Sequence, residues 1–137
     1  MFNHPLLKRT PFPDKTPDLK YRILWLSLGY SFVFTIVYFS LIPNPDINAQ
    51  VSDKLIHFLA YGLLMGWFSQ LYARYDYFKI ALRLFLMGIS LEVLQSFTDY
   101  RSIEFFDAVA NSSGILIAWI SSTFFPGRIL LFLFKTK

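Results

Sequence analysis

The sequence contains no cysteine, and only 16% of its 137 residues are charged. The missing cysteine excludes disulfide bonds, thiolate metal sites and cysteine nucleophiles. A soluble domain carries about 25% charged residues, so the deficit is large. In contrast, 55% of the residues are hydrophobic and 20% are aromatic, which is more apolar surface than one small core can bury. We therefore expect the surplus to face lipid, which excludes a disordered chain, a secreted disulfide scaffold and a soluble enzyme.

Four apolar segments divide the chain, at residues 23–42, 55–71, 80–97 and 108–125. With a few flanking residues, each reaches the length of about 20 residues at which an α-helix crosses a hydrocarbon core of about 30 Å. The first segment is too long for the apolar region of a signal peptide, and prolines rather than a cleavage site follow it. The pattern predicts an all-α integral membrane bundle of four transmembrane helices.

The basic residues are distributed unevenly around these four segments. Eleven of the thirteen lie before the first segment, between the second and third, at the start of the third, or after the fourth; only Lys54 and Arg101 lie elsewhere. Because basic loops stay in the cytoplasm, both termini are predicted to be cytoplasmic. We expect a flexible basic cytoplasmic tail over residues 1–22, a four-helix domain over 23–125 and a short amphipathic basic tail over 126–137.

Polar side chains that rarely occur in membrane helices gather near the outer end of this predicted topology. Ser52 and Ser102 are predicted to cap the N-termini of the second and fourth helices. An ionisable side chain within the bilayer costs about 2.5–3.5 kcal/mol on insertion scales, so it rarely faces lipid. We therefore expect one polar layer that opens outward and contains Asp53, Lys54, His57, Tyr61, Glu92, Gln95, Arg101, Asp107 and Asn111.

Small residues in two of the segments predict close helix packing. Gly62 and Gly66 form a GxxxG pattern in the second helix, and Gly114 belongs to a ladder of small residues in the fourth. Small residues let membrane helices approach closely, because packing and hydrogen bonds replace the hydrophobic drive available in water. We favour packing within the bundle over dimerisation as the interpretation of both patterns.

The ordered set of polar residues resembles the signature of the VanZ-like family of bacterial membrane proteins. It consists of Asp53-Lys54-x-x-His57-Phe58, then Tyr61, Glu92-x-x-Gln95, Arg101, Asp107, Asn111 and Gly114. The resemblance extends from about Asp53 to Trp119, roughly half of the chain. The family's namesake is associated with resistance to the glycopeptide antibiotic teicoplanin. The resemblance therefore implies a multi-pass protein of the bacterial inner membrane that acts in the cell envelope, with a link to antibiotic resistance.

The chemistry of these residues leaves several functions open. Arg101 and Lys54 suit the capture of a phosphate or carboxylate, so the expected partner is an anionic membrane lipid or a lipid-linked cell-wall precursor. His57 and Glu92 are the candidate catalytic residues of an acid/base enzyme that acts on a lipid headgroup, and whether the protein is an enzyme stays open. In a third interpretation, the layer is polar glue between the helices of a subunit that has a membrane-protein partner.

No cofactor, metal ion or nucleic acid is expected as a ligand. His57 is the one histidine of the polar layer, and the sequence has no paired histidines at a metal-binding spacing. The basic N-terminal tail fits a topology signal and contact with anionic lipid better than nucleic-acid binding, which needs a folded basic face.

Overall fold

Helices form nearly all of the structure, a computed structural model that describes residues 16–42, 50–98, 104–125 and 129–134. They are α1 (Arg22–Leu41), α2 (Gln50–Leu71), α3 (Tyr77–Gln95), α4 (Phe105–Phe124) and the short α5 (Ile129–Phe134). A 3-10 turn, Arg74–Asp76, joins α2 to α3. Since no β-strand occurs within the described residues, the predicted all-α fold is confirmed, and the four long helices correspond to the four predicted apolar segments.

Both predicted helix caps are wrong. Because α2 begins at Gln50, Ser52 lies inside the helix rather than at its cap. The N-cap residue of α4 is Glu104, and Ser102 lies outside the described residues. The Glu104 side chain makes no cap hydrogen bond, and its carboxylate instead accepts a hydrogen bond from Lys54. A contact between two helices thus takes the side chain that would otherwise cap one of them.

The most extensive helix pair is α2 with α4, and glycine allows their close approach. A Cβ atom on Gly114 would collide with the carbonyl oxygen of Phe58 and would lie 3.0 Å from the amide nitrogen of Gly62. Gly66 has no such neighbour, because nothing lies within 4 Å of the position of its Cβ. Gly62 and Gly114 therefore set the spacing between α2 and α4, whereas Gly66 does not contribute.

The outermost long helix is α1, in which Gly29 alone is buried among the residues described. At its start, Arg22 donates a hydrogen bond to the carbonyl oxygen of Leu71, the last residue of α2. Near its end, the carbonyl oxygen of Ser40 accepts a hydrogen bond of 2.7 Å from the side chain of Gln95, the last residue of α3. These contacts place the end of α1, the start of α2 and the end of α3 at one end of the bundle, which we call the polar end.

The bundle is apolar on its outside as well as in its core. Leu64, Met65 and Leu71 of α2 are fully buried, and Leu84 of α3 packs with them in the interior. Large hydrophobic side chains are also exposed on all four long helices, among them Ile23, Phe34, Leu59, Leu63, Leu82, Leu86, Leu116 and Ile117. So much exposed apolar surface is unusual for a soluble monomer and marks a surface that contacts lipid or protein.

Among the described helices, only α1 is both long and apolar enough to cross a membrane by itself. The other three long helices have 22, 19 and 20 residues, but their polar and charged side chains reduce their average hydropathy. Four membrane spans, cytoplasmic termini and the division into three regions stay predictions. In the predicted C-terminal tail, α5 packs against the start of α1, with the Phe134 ring centroid 4.9 Å from that of Trp25.

Candidate ligand-binding site

Lys54, near the N-terminus of α2, joins this helix to the start of α4 through two ion pairs. Its Nζ atom lies 2.7 Å from Oε2 of Glu104 and 3.1 Å from Oδ1 of Asp107. The Asp107 side chain is 5% exposed, whereas those of Lys54 and Glu104 are 31% and 40% exposed. Asp107 lies in the first turn of α4, where the helix dipole also favours a carboxylate. Lys54 therefore neutralises a buried charge while part of its side chain stays accessible.

His57 is oriented by Asn111 and faces two carboxylates. Its Nδ1 atom lies 3.1 Å from Oδ1 of Asn111, and its Nε2 atom lies 3.9 Å from an oxygen of Asp53 and of Asp107. Because an amide oxygen only accepts hydrogen bonds, Nδ1 carries a proton. The polar cluster, as we call it, consists of Asp53, Lys54, His57, Glu104, Asp107 and Asn111.

Tyr61 and Glu92 lie beside the polar cluster and are 1% and 5% exposed. The two side chains are within electrostatic range of each other. The Tyr61 hydroxyl has no hydrogen-bond partner among the residues that the structure describes. A Cβ atom on Gly88 would lie 3.3 Å from this hydroxyl oxygen and 3.2 Å from Nδ2 of Asn111. Gly88 of α3 therefore leaves the space that Tyr61 and Asn111 occupy.

The nine residues predicted for the site fall into three groups. Five of them, Asp53, Lys54, His57, Asp107 and Asn111, meet in the polar cluster, and Tyr61 and Glu92 lie beside it. Gln95 is buried, and the partner that the structure gives it is the backbone of α1. Arg101 lies outside the described residues.

Two residues at the site were absent from the predicted set. Glu104 lies three positions before Asp107 and pairs with the same lysine. That spacing places two side chains on one helix face and could have identified it. Gly88 lies one helical turn before Glu92, but nothing in a single sequence separates a glycine that makes room for a site from one that packs helices.

Three side chains of the polar cluster offer ligand atoms for a metal ion. One atom each from Asp53, His57 and Asp107 lies within 4.8 Å of the others. An imidazole nitrogen and two carboxylate oxygens form a donor set that several divalent metals accept. The Lys54 ammonium already balances Asp107, so the cluster has a positive charge at this position without a metal. The expectation that no metal binds stays a prediction.

An open groove runs between α3 and α4 and begins near the polar end. Its volume is about 370 Å³, and it is lined by Phe85, Ile89, Phe105, Ala108, Val109, Ser112, Ser113 and Leu116. Both serine hydroxyls donate to backbone carbonyl oxygens one turn earlier in α4. The side chains that remain available to an occupant of this groove are therefore almost all apolar.

Comparison with known proteins identifies the family of the chain. The model of the family described as VanZ/LLP1 matches residues 14–126, a range that includes all four long helices and the whole polar cluster. No curated protein matches the chain significantly, and no solved structure does. The family match and the apolar α1 together indicate a membrane-associated protein. Because the matched range spans well over half of its length, the chain belongs to the VanZ/LLP1 family.

Proposed function

We propose that this protein crosses the bacterial inner membrane four times, with both termini in the cytoplasm. In this arrangement its polar cluster faces outward and engages the headgroup of an anionic envelope lipid or a lipid-linked cell-wall precursor. The exposed apolar side chains on all four long helices support the four spans. The orientation rests on the eleven basic residues assigned to the cytoplasmic side, because basic loops are retained there.

The observation that carries the ligand proposal is the accessible Lys54 at the polar end, near which an apolar groove between α3 and α4 also begins. Its ammonium has three donors, and Glu104 and Asp107 accept two hydrogen bonds from it. One donor remains for a phosphate or carboxylate, and the groove of about 370 Å³ is suited to an acyl or prenyl chain. Arg101, three residues before Glu104 in the sequence, supplies the second cation that an anion needs among these carboxylates.

The remaining residues have supporting roles in this proposal. Asp53 and Asp107 orient His57 and the cationic groups, while Asn111 fixes the imidazole ring. His57 Nε2 and Glu92 hold the headgroup or exchange a proton with it. Gln95 contributes indirectly, since its hydrogen bond holds the end of α1 against α3.

The test is mass spectrometry of the lipids that the purified full-length chain retains from bacterial membranes. Lys54→Gln removes the accessible cation, and Lys79→Gln is the matched control, because Lys79 pairs with Asp76 outside the polar cluster. We expect one lipid class to be enriched in the wild type and in Lys79→Gln and depleted in Lys54→Gln. Identical lipid profiles for all three would refute the ligand proposal and favour the polar cluster as helix glue.

A second candidate function, an acid/base enzyme acting on a lipid headgroup, is favoured by the orientation of His57. One ring nitrogen is fixed by Asn111 and the other faces two carboxylates, an arrangement typical of a general base. His57→Gln and Glu92→Gln strains would then lose headgroup turnover measured with isotopic label. Unchanged turnover in both strains would exclude catalysis by these groups.

A link to teicoplanin-type resistance is the physiological consequence if the ligand is a cell-wall precursor. We expect expression of the wild-type chain, but not of Lys54→Gln, to reduce teicoplanin susceptibility in a susceptible Gram-positive host. Equal susceptibility with comparable expression would separate this protein from resistance. If only a membrane-protein partner co-purifies and no lipid is enriched, the protein acts as a structural subunit instead.

A further inference from the structure

A second cavity lies between α1, α2 and α3, at the end of the bundle opposite the polar cluster. Its volume is about 150 Å³, and most of its lining is apolar, including Val33, Leu84 and Met87. Three lining residues carry polar groups: Tyr30 of α1, Tyr72, which follows the last residue of α2, and Arg83 in the second turn of α3. The Tyr30 and Tyr72 side chains are hydrogen-bonded to each other. The cavity therefore combines apolar walls with a cationic side chain.

The charge of Arg83 is not balanced by a carboxylate within the described part of the chain. A second guanidinium, that of Arg22, lies 5.5 Å from the centroid of the Tyr72 ring and is held by the carbonyl oxygen of Leu71. Both arginines are within electrostatic range of the Tyr72 hydroxyl. One positive charge, that of Arg83, therefore lines the cavity, and a second, that of Arg22, lies next to the ring of the lining residue Tyr72.

A basic side chain that only fixes the topology of a membrane helix needs neither a cavity nor an unpaired charge. Lys79, one turn before Arg83 on α3, has the properties of such a residue. Its ammonium is 3.0 Å from Asp76, its side chain is 62% exposed, and it does not line the cavity. Arg83 is also exposed, but unlike Lys79 it lines the cavity and has no carboxylate partner among the described residues.

We propose that this cavity binds one anionic phospholipid of the inner leaflet. Its phosphate lies at Arg83, Arg22 and Tyr72, and part of one acyl chain lies against Val33, Leu84 and Met87. A guanidinium group can donate two parallel hydrogen bonds to two oxygens of one phosphate. Basic pockets between membrane helices bind anionic headgroups. The apolar walls of this cavity of about 150 Å³ suit an apolar guest. The proposal requires the membrane location proposed above, but it is independent of any ligand at the polar cluster.

The experiment measures lipid selectivity of the purified full-length chain in mixed micelles that contain equal amounts of phosphatidylglycerol and phosphatidylcholine. Native mass spectrometry gives the ratio of the two lipids bound. Arg83→Gln is expected to lower this ratio about fivefold, because a basic residue near an anionic headgroup contributes about 1 kcal/mol. Lys79→Gln removes the same charge from the same helix and is expected to leave the ratio unchanged.

Two further arms separate the cavity from general surface charge. Met87→Trp, which fills the cavity and keeps both arginines, should reduce bound phosphatidylglycerol, and it carries the test if Arg83→Gln fails to fold. Arg83→Gln is also measured in a Lys54→Gln background, where it should still lower the ratio about fivefold. A decrease that persists without the Lys54 cation belongs to this cavity, so failure at the polar cluster and failure here are distinguishable. The proposal is overturned if Arg83→Gln keeps the wild-type ratio or Lys79→Gln lowers it equally. It is also overturned if soluble glycerophosphoglycerol competes as well as the lipid.

Discussion

Substitution of the two glycines Gly114 and Gly66 by alanine tests whether the contact between α2 and α4 is set by backbone atoms. In Gly114→Ala, the added Cβ would meet the carbonyl oxygen of Phe58 and the amide nitrogen of Gly62, neither of which can move by a side-chain rotation. Introducing a methyl group into a packed contact costs about 1–3 kcal/mol, and more where backbone must shift. Gly66→Ala is the matched control, because nothing lies within 4 Å of its new methyl group.

The free energy of unfolding is therefore expected to fall in Gly114→Ala and to stay equal or rise in Gly66→Ala. Both variants gain up to about 1 kcal/mol from the higher helix propensity of alanine. Gly114→Ala should still be destabilised by about 1–2 kcal/mol after this gain, since overpacking outweighs it. Gly66→Ala should be neutral or slightly more stable. The measurement is equilibrium unfolding of both purified variants in the same detergent, followed by circular dichroism.

The reasoning would be refuted if Gly114→Ala were as stable as Gly66→Ala. That result would mean that α2 and α4 separate at little cost, so that the glycine pair is not what brings the helices together. It would also count against the contacts described for the polar cluster, because these contacts cross the same interface. Lys54 and His57 of α2 reach Asp107 and Asn111 of α4 there.

Two other predictions concern polar groups at the site. Tyr61→Phe removes a buried hydroxyl that has no hydrogen-bond partner among the described residues, so stability should stay equal or rise by up to about 1–3 kcal/mol. A clear loss in thermal unfolding would show that the hydroxyl has a partner in solution. Lys54→Gln leaves the buried Asp107 carboxylate without its cation and should cost about 1–3 kcal/mol. Glu104→Gln, at a carboxylate that is 40% exposed, should cost at most about 1 kcal/mol, and equal losses would contradict this ranking.

The sequence predicted the helices and one layer of polar residues shared among three of them, because both follow from the spacing of apolar and charged residues. The structure brings five of those polar residues together between α2 and α4. Asp53 and His57 are four residues apart, as are Asp107 and Asn111, so each pair shares a helix face. The ends of the helices were not predictable in the same way, since Glu104 could cap α4 or pair with a lysine from α2. Only the packed structure decides between those contacts, and it gives the carboxylate to Lys54. The partner of Gln95 was hidden for the same reason, because a backbone carbonyl such as that of Ser40 has no sequence signature.

The distinction between helix glue and a ligand site depends on which polar groups are satisfied inside the protein. Asp107 and Asn111 are buried and pair with Lys54 and His57, as expected of residues that hold α2 and α4 together. Lys54 and Glu104 are different, because they carry charge on the accessible side of the same cluster, where glue needs none. In this cluster the buried polar groups all have partners, and the accessible groups form an ion pair. This arrangement fits a rigid site that presents an ion pair to a ligand. Lys54→Gln should therefore reduce lipid retention as well as stability, whereas Gly114→Ala should reduce stability first.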